Sequence, residues 1–159
     1  MANVPTKSWR CNTSKLLGAL PLWVAALWWG SLTTVGFFVV PMLFAHLPTP
    51  AMAGTMAGKL FSAQTSVSVV CGLVLLMCFR SNKPLAPVVI AQSATLFVVG
   101  GVLLALLVEF GVAPHIIARD NLALWHKVGT GMYVAQWLCA GVVFGKLTKH
   151  SVTAARHGG

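Results

Sequence analysis

The side chains of this 159-residue sequence best suited to metal or acid–base chemistry are five histidines, two acidic residues and four cysteines. One group gathers around the ends of apolar runs: His46, then Glu109, Pro114 and His115, then His126 beside Lys127. A carboxylate with imidazoles can ligate a divalent metal, and two imidazoles from different helices can sandwich a haem. His46, Glu109 and His126 are therefore the candidate ligands for a metal or haem. They would come from separate segments, because no H-x-x-H or H-E-x-x-H motif is present. The plainer expectation is that they pair with one another and with lipid headgroups, and that no cofactor binds.

Cys11, Cys71, Cys78 and Cys139 show no C-x-x-C spacing, and three of them lie in apolar runs, so they read as small packing residues. Cys71 and Cys78 share a helical face, which permits soft-metal binding without requiring it. No G-x-S-x-G, P-loop or G-x-G-x-x-G occurs. Two acidic residues supply no general acid/base pair inside a membrane unless Glu109 works with a histidine, so the sequence points away from an enzyme.

The elements that must position these residues follow from composition. Hydrophobic residues make up 57% of the chain and charged ones 8%, with a mean hydropathy of +0.83, which excludes an ordinary soluble domain. The net charge of +9 sits on short segments between apolar runs, without an aromatic-interleaved basic face, so headgroups and not nucleic acid are the expected partner. A helix needs about 20 apolar residues to cross a bilayer, since unpaired backbone groups are costly in hydrocarbon. Four segments qualify, at about 16–46, 51–79, 85–113 and 122–147, between a basic tail over 1–15 and a second tail over 148–159.

In "HLPTP", Thr49 can cap the second helix with Pro50 at its first position. "RSNKP", "GVAPH" and "RDN" punctuate the remaining spans, and Pro41 and Pro114 mark kink or turn positions. Short connections predict an all-α, antiparallel four-helix membrane bundle. The first apolar run, at about 30 residues, is too long for the 7–15 of a signal peptide, so it reads as an anchored span. Of the eleven Lys and Arg, eight fall on the two tails and the second-to-third connection, and only Lys59, Arg119 and Lys127 on the other side. Both termini are thus expected in the cytoplasm, the chain lying in the inner (plasma) membrane.

Polar residues inside the spans are mild. Gln64, Ser68 and Gly72 recur every four residues on one face of the second span, as suits a helix interface. Gly141 and Gly145 form a G-x-x-x-G, Gly100 with Gly101 opens a close-approach point, and Gly30 and Gly36 line the first span. These are read as packing positions, within the chain or toward another membrane protein or a second copy. No charge is expected at mid-membrane, which weighs against an ion pump or channel. Counting along the third span places Glu109 at the outer boundary, where Lys127 or His126, then His46 or Arg119, is the expected partner.

The stretches "WWGSLTTVGFFVVPMLFAHLP", "AGTMAGKLF", "EFGVAPHI" and "LWHKVG" together resemble the small four-helix membrane family typified by transmembrane protein 205, a domain of unknown function numbered 4149. The matching positions are Gly30, Gly36, Pro41 and Phe44; Gly54, Gly58 and Phe61; Ala113 and Pro114; and Trp125 with His126. The chain departs from the family pattern after that histidine, with "KVG" where small and hydroxyl residues are expected. The resemblance extends distantly to copper-resistance protein D and to a haem-linked protoporphyrinogen oxidase, which implies metal or haem handling by intramembrane histidines. It implies no reaction for the family itself. Two readings follow: a non-enzymatic membrane component with a packing, small-solute or metal-tolerance role, or a haem- or metal-binding redox component.

Overall fold

Pro41 and Pro114 each remove a backbone donor and set a ring against the carbonyl four residues back. The two helices that carry them respond in the same way. In the computed structural model, which describes residues 8–80 and 88–157, α1 (Ser8–Thr33) widens into a first π-helical segment, Thr34–Val39, and resumes as α2 (Val40–His46). After α3 (Pro50–Arg80), α4 (Val88–Leu107) widens into a second π segment, Val108–Val112, and resumes as α5 (Ala113–Ile117). The last helix, α6, is continuous over Leu122–His157. The Val40 N–H bonds back five residues to the Val35 carbonyl, and the Ala113 N–H to that of Val108, the spacing of a π-helix. In both helices the proline is the second residue after the π segment. Where the prolines predict kinks, the helix passes through a widened turn without breaking.

The turns are set by local chemistry. Thr49 caps α3: the Met52 N–H donates to Thr49 Oγ1 at 3.3 Å and the Ala53 N–H to the Thr49 carbonyl at 3.2 Å. Pro50 begins the helix, where its missing N–H is not needed. Between α5 and α6 the chain turns through Arg119 and Asn121, both at positive φ (57° and 37°). The Asn121 carbonyl then accepts from the N–H groups of Leu124 and Trp125.

Three ends run further than expected. The first helix begins at Ser8 and not at about 16, so residues 8–15 of the expected tail are helical; the third helix continues past Ala113 to Ile117, and α6 continues past Leu147 to His157, so residues 148–157 extend a helix. The "RSNKP" turn, the start of the third span at Leu85, and Lys7 and Lys83 lie outside the described residues.

The four long helices form a ring in which α1 and α4 each pack against both α3 and α6. The core holds Ala25, Trp28, Leu32, Cys71, Leu75, Val98, Ala140 and Val143. Outside it the usual polarity is inverted: Met77, Leu96 and Phe110 are 73%, 76% and 74% exposed, while Gln64, Ser68 and Gln136 are buried. Such a surface is stable only in lipid, where burying apolar groups between helices gains little and close packing with interhelical hydrogen bonds holds the bundle. Four helical stretches are long and apolar enough to cross a membrane: Gly18–His46, Pro50–Arg80, Gln92–Ile117 and Leu122–Thr153. Among the described residues there is no strand.

Candidate functional site

Neutral polar side chains meet at the middle of the bundle. Gln136 Nε2 donates to Ser68 Oγ at 2.9 Å, and Ser68 Oγ to the Gln64 carbonyl at 2.9 Å. Gln64 Nε2 in turn donates to Ser31 Oγ at 3.0 Å, and Ser31 Oγ to the Trp28 carbonyl at 2.9 Å. This chain of bonds ties α6 to α3 and α3 to α1. Gln136 stands nine residues after Lys127 and ten before Lys146, which puts the network near mid-span. Beside it, Trp137 Nε1 donates to Thr33 Oγ1 at 2.9 Å, and Trp29 lies against Trp137 and Phe144 with ring centroids 5.9 and 5.7 Å away. Among the described residues the indole N–H groups of Trp28 and Trp29 are buried without a partner, each costing about 1–3 kcal/mol.

A second layer lies at the π segments. Tyr133, the one tyrosine of the chain, donates its hydroxyl to the Leu32 carbonyl at 2.8 Å, and its oxygen also faces the Gly36 backbone N–H. In a regular α-helix the Gly36 N–H would bond to the Leu32 carbonyl, so the phenol occupies the gap between them. Insertion of a side chain into the backbone ladder is a known cause of helix distortion, and here it coincides with the first π segment. Gly36 permits the insertion, because a Cβ there would lie 2.5 Å from Tyr133 Cε1. One turn earlier on α6, Gly129 makes room for Val112 of the second π segment. On α3, Phe61 meets the Tyr133 ring edge-on at 5.2 Å, and Ser62 Oγ donates to Glu109 Oε1 at 2.8 Å. One turn of α6 thus engages both π segments, and one turn of α3 meets the second directly and the first through Tyr133.

The carboxylate does not meet the cation expected of it. Among the described residues Glu109 forms no ion pair; the single ion pair is His115 with Asp120, Nδ1 to Oδ2 at 3.6 Å. The group that meets it comes from α3 and not from α6: Ser62 Oγ, in place of Lys127 or His126. His46 turns back on its own helix, with Nδ1 3.0 Å from the Met42 carbonyl. His115 stacks flat on Trp125 with centroids 4.0 Å apart, and His126 is exposed. Among the described residues no group of three or more His, Cys, Asp or Glu side chains is placed to hold a metal ion.

The glycines divide into two kinds. A methyl group added at Gly36, Gly72, Gly101 or Gly141 would run into Tyr133, Val102, Trp28 or Trp29 respectively. At Gly30, Gly100 and Gly145 it would meet nothing within 4 Å, so these bare positions serve no close approach among the described residues. Residues that sequence reasoning missed are Tyr133 as an inserted side chain and Ser62 as the partner of Glu109. The available signals were the single tyrosine and the paired order, in the first and third spans, of a glycine followed by a proline.

The inverted surface, the four long helices and the buried hydrogen-bonded core define a multi-pass helical membrane protein. A family model described as a domain of unknown function (DUF4149) matches residues 23–124, and the chain belongs to that family. No curated protein matches it, and no solved structure does.

Proposed function

We propose that the chain is a non-enzymatic inner-membrane component, of the transmembrane protein 205-like kind, that serves as a rigid helical partner for another membrane protein or a second copy of itself. A small-solute or metal-tolerance assembly is the expected setting. The observation that carries this reading is the use of the mid-span polar groups. Gln136, Ser68, Gln64 and Ser31 are neutral and are consumed in joining α1, α3 and α6 to one another, as suits a fixed scaffold and not an ion path. Gly30, Gly100 and Gly145, bare toward the surrounding lipid, offer places where a partner helix can approach closely.

The same reading makes the bundle antiparallel with both termini in the cytoplasm. Its support is the opposed order of contacts along neighbouring helices: Gly72 faces Val102 while Ser62 meets Glu109, and Ser93 meets Lys146 while Val112 meets Gly129. The cation distribution sets the side. Fusions of green fluorescent protein and alkaline phosphatase at each terminus test this; phosphatase activity at either end refutes it. For the functional reading, crosslinking in the native membrane followed by affinity purification in mild detergent should return a specific partner or a homo-oligomer. A monomer without partner, in a strain whose deletion leaves solute and metal tolerance unchanged, refutes the proposal.

A further inference from the structure

At the end of the bundle opposite Glu109, Lys146 is set into the seam between α6 and α4. It is half-buried; its Nζ donates to Ser93 Oγ at 3.1 Å and stands 5.9 Å from the centre of the Phe97 ring. Side chains of a helix lean toward its N-terminus, and here the lysine stem lies back against α4 instead of trailing away from the bundle. A lysine ammonium carries three donors and no acceptor, and Ser93 takes one of them. Among the described residues no carboxylate meets it. The two acidic side chains of the sequence are engaged elsewhere: Asp120 pairs with His115, and Glu109, sixteen residues or about 24 Å along the helix from Ser93, accepts from Ser62.

The depth of Lys146 follows from the mid-span network. Ser31 and Gln64, which bond to each other, stand near the middle of the stretches Gly18–His46 and Pro50–Arg80. Gln136 is joined to Ser68, one turn beyond Gln64. From Gln136 to Lys146 is ten residues, or about 15 Å, half of a hydrocarbon core of about 30 Å. The register of α4 against α6 agrees: a Cβ at Gly101 would stand 3.4 Å from that of Cys139, and Ser93 and Lys146, eight and seven residues from that level, meet again. Lys146 therefore lies where the hydrocarbon gives way to the headgroups. One turn deeper, Phe97 on α4 and Val142 on α6 are exposed to the lipid.

We propose that Lys146, its ammonium held by Ser93, forms with Phe97 and Val142 a site for one anionic glycerophospholipid. The phosphodiester accepts from the remaining Lys146 N–H groups, and an acyl chain runs down into the membrane along Phe97 and Val142. The charges at this end select the headgroup. The ammonium of an ethanolamine or choline headgroup finds no acidic side chain there, only the further cations Arg80 and Lys149; a glycerol headgroup brings no cation with it. This site does not rest on the partner-binding role, and its readout is separate from partner capture.

The test uses the full chain reconstituted in vesicles of equal parts phosphatidylglycerol, phosphatidylethanolamine and phosphatidylcholine, then extracted in mild detergent, with retained lipids quantified by mass spectrometry. The native chain should retain phosphatidylglycerol in excess of the other two. Lys146→Gln should lower its ratio to phosphatidylcholine by about fivefold, the effect of one cation near the membrane surface. Lys149→Gln, an equal change of charge three residues away, should lower it by less than about twofold, because it removes only the general attraction of a basic end. Lys146→Arg, which keeps the charge, should keep the preference. A variant that fails to fold loses all three lipids alike, and a second measurement needs no variant: on the native chain, phosphatidylglycerol with a photoactivatable acyl chain should label the stretches 93–97 and 142–146 above the rest. Equal retention of the three lipids by the native chain, an unchanged ratio in Lys146→Gln, an equal fall in Lys149→Gln, loss of the preference in Lys146→Arg, or labelling spread evenly over the four helices overturns the proposal. So does displacement by inorganic phosphate as effective as by the lipid, which would make this a phosphate site and not a lipid site.

Discussion

Gly36 and Tyr133 make a close approach between the first π segment and α6, and replacing Gly36 with alanine tests whether the inserted phenol shapes that segment. The added Cβ falls 2.5 Å from Tyr133 Cε1 and 3.2 Å from its Cζ and Oη. The obstacle is a ring held at both ends, by Phe61 on its edge and by the Leu32 carbonyl at its hydroxyl. It cannot swing aside as the tip of a flexible chain would. Overpacking of this kind costs about 1–3 kcal/mol, whereas alanine gains about 1 kcal/mol over glycine in helix propensity. The net expectation for Gly36→Ala is a loss of about 0–2 kcal/mol. In a Tyr133→Leu background the ring is gone, only the propensity gain remains, and the same substitution should stabilise by about 1 kcal/mol. The coupling between the two positions is then about 1–3 kcal/mol, measurable by reversible unfolding in mixed micelles followed through tryptophan fluorescence. Tyr133→Phe separates ring from hydroxyl: it should lose about 0.6–1.7 kcal/mol for the Leu32 bond and give Gly36→Ala no relief. An alanine at position 36 that costs the same in the native and Tyr133→Leu backgrounds would show that the ring does not occupy this space, and the account of the π segment would fail with it.

The two kinds of glycine should separate by the same measurement. Gly72→Ala, which sets a methyl group into Val102, should destabilise by about 1–3 kcal/mol before the propensity gain, while Gly30→Ala and Gly145→Ala, with open space, should be neutral or stabilising by up to about 1 kcal/mol. Gly30→Leu should then weaken partner capture or self-association without loss of monomer stability, and intact capture would remove Gly30 from any partner interface. In the mid-span network, Gln136→Leu should cost about 0.6 kcal/mol and at most about 1.7. Combined with Ser68→Ala its effect should be less than additive, because both changes break the bond that joins α6 to α3; strict additivity refutes a connected network.

The spans and their caps are legible in the chain because they depend on neighbours in sequence. Apolar length sets the helices, and Thr49 followed by Pro50 sets the start of α3. Faces are legible for the same reason: Gln64, Ser68 and Gly72 share a stripe by spacing, and all three are buried. What spacing does not carry is the register of one helix against another. A shift of α3 by a single turn would bring Lys59 in place of Ser62 to the level of Glu109, and nothing in either segment fixes that turn. The sequence predicts a cation from another span, Lys127 or His126, where the fold supplies a hydroxyl from α3, Ser62. The same limit applies to the glycines, since Gly100 and Gly101 are adjacent yet only Gly101 meets Trp28 and Cys139. It applies most to the π segments. Pro41 and Pro114 announce a fault in each helix, but whether the helix kinks, breaks or widens depends on what arrives from across the bundle. At the first fault the arrival is a phenol from nearly 100 residues away, placed in the gap between the Gly36 N–H and the Leu32 carbonyl. The widening is thus a tertiary event that local sequence permits, through a glycine and a proline, and that Tyr133 completes.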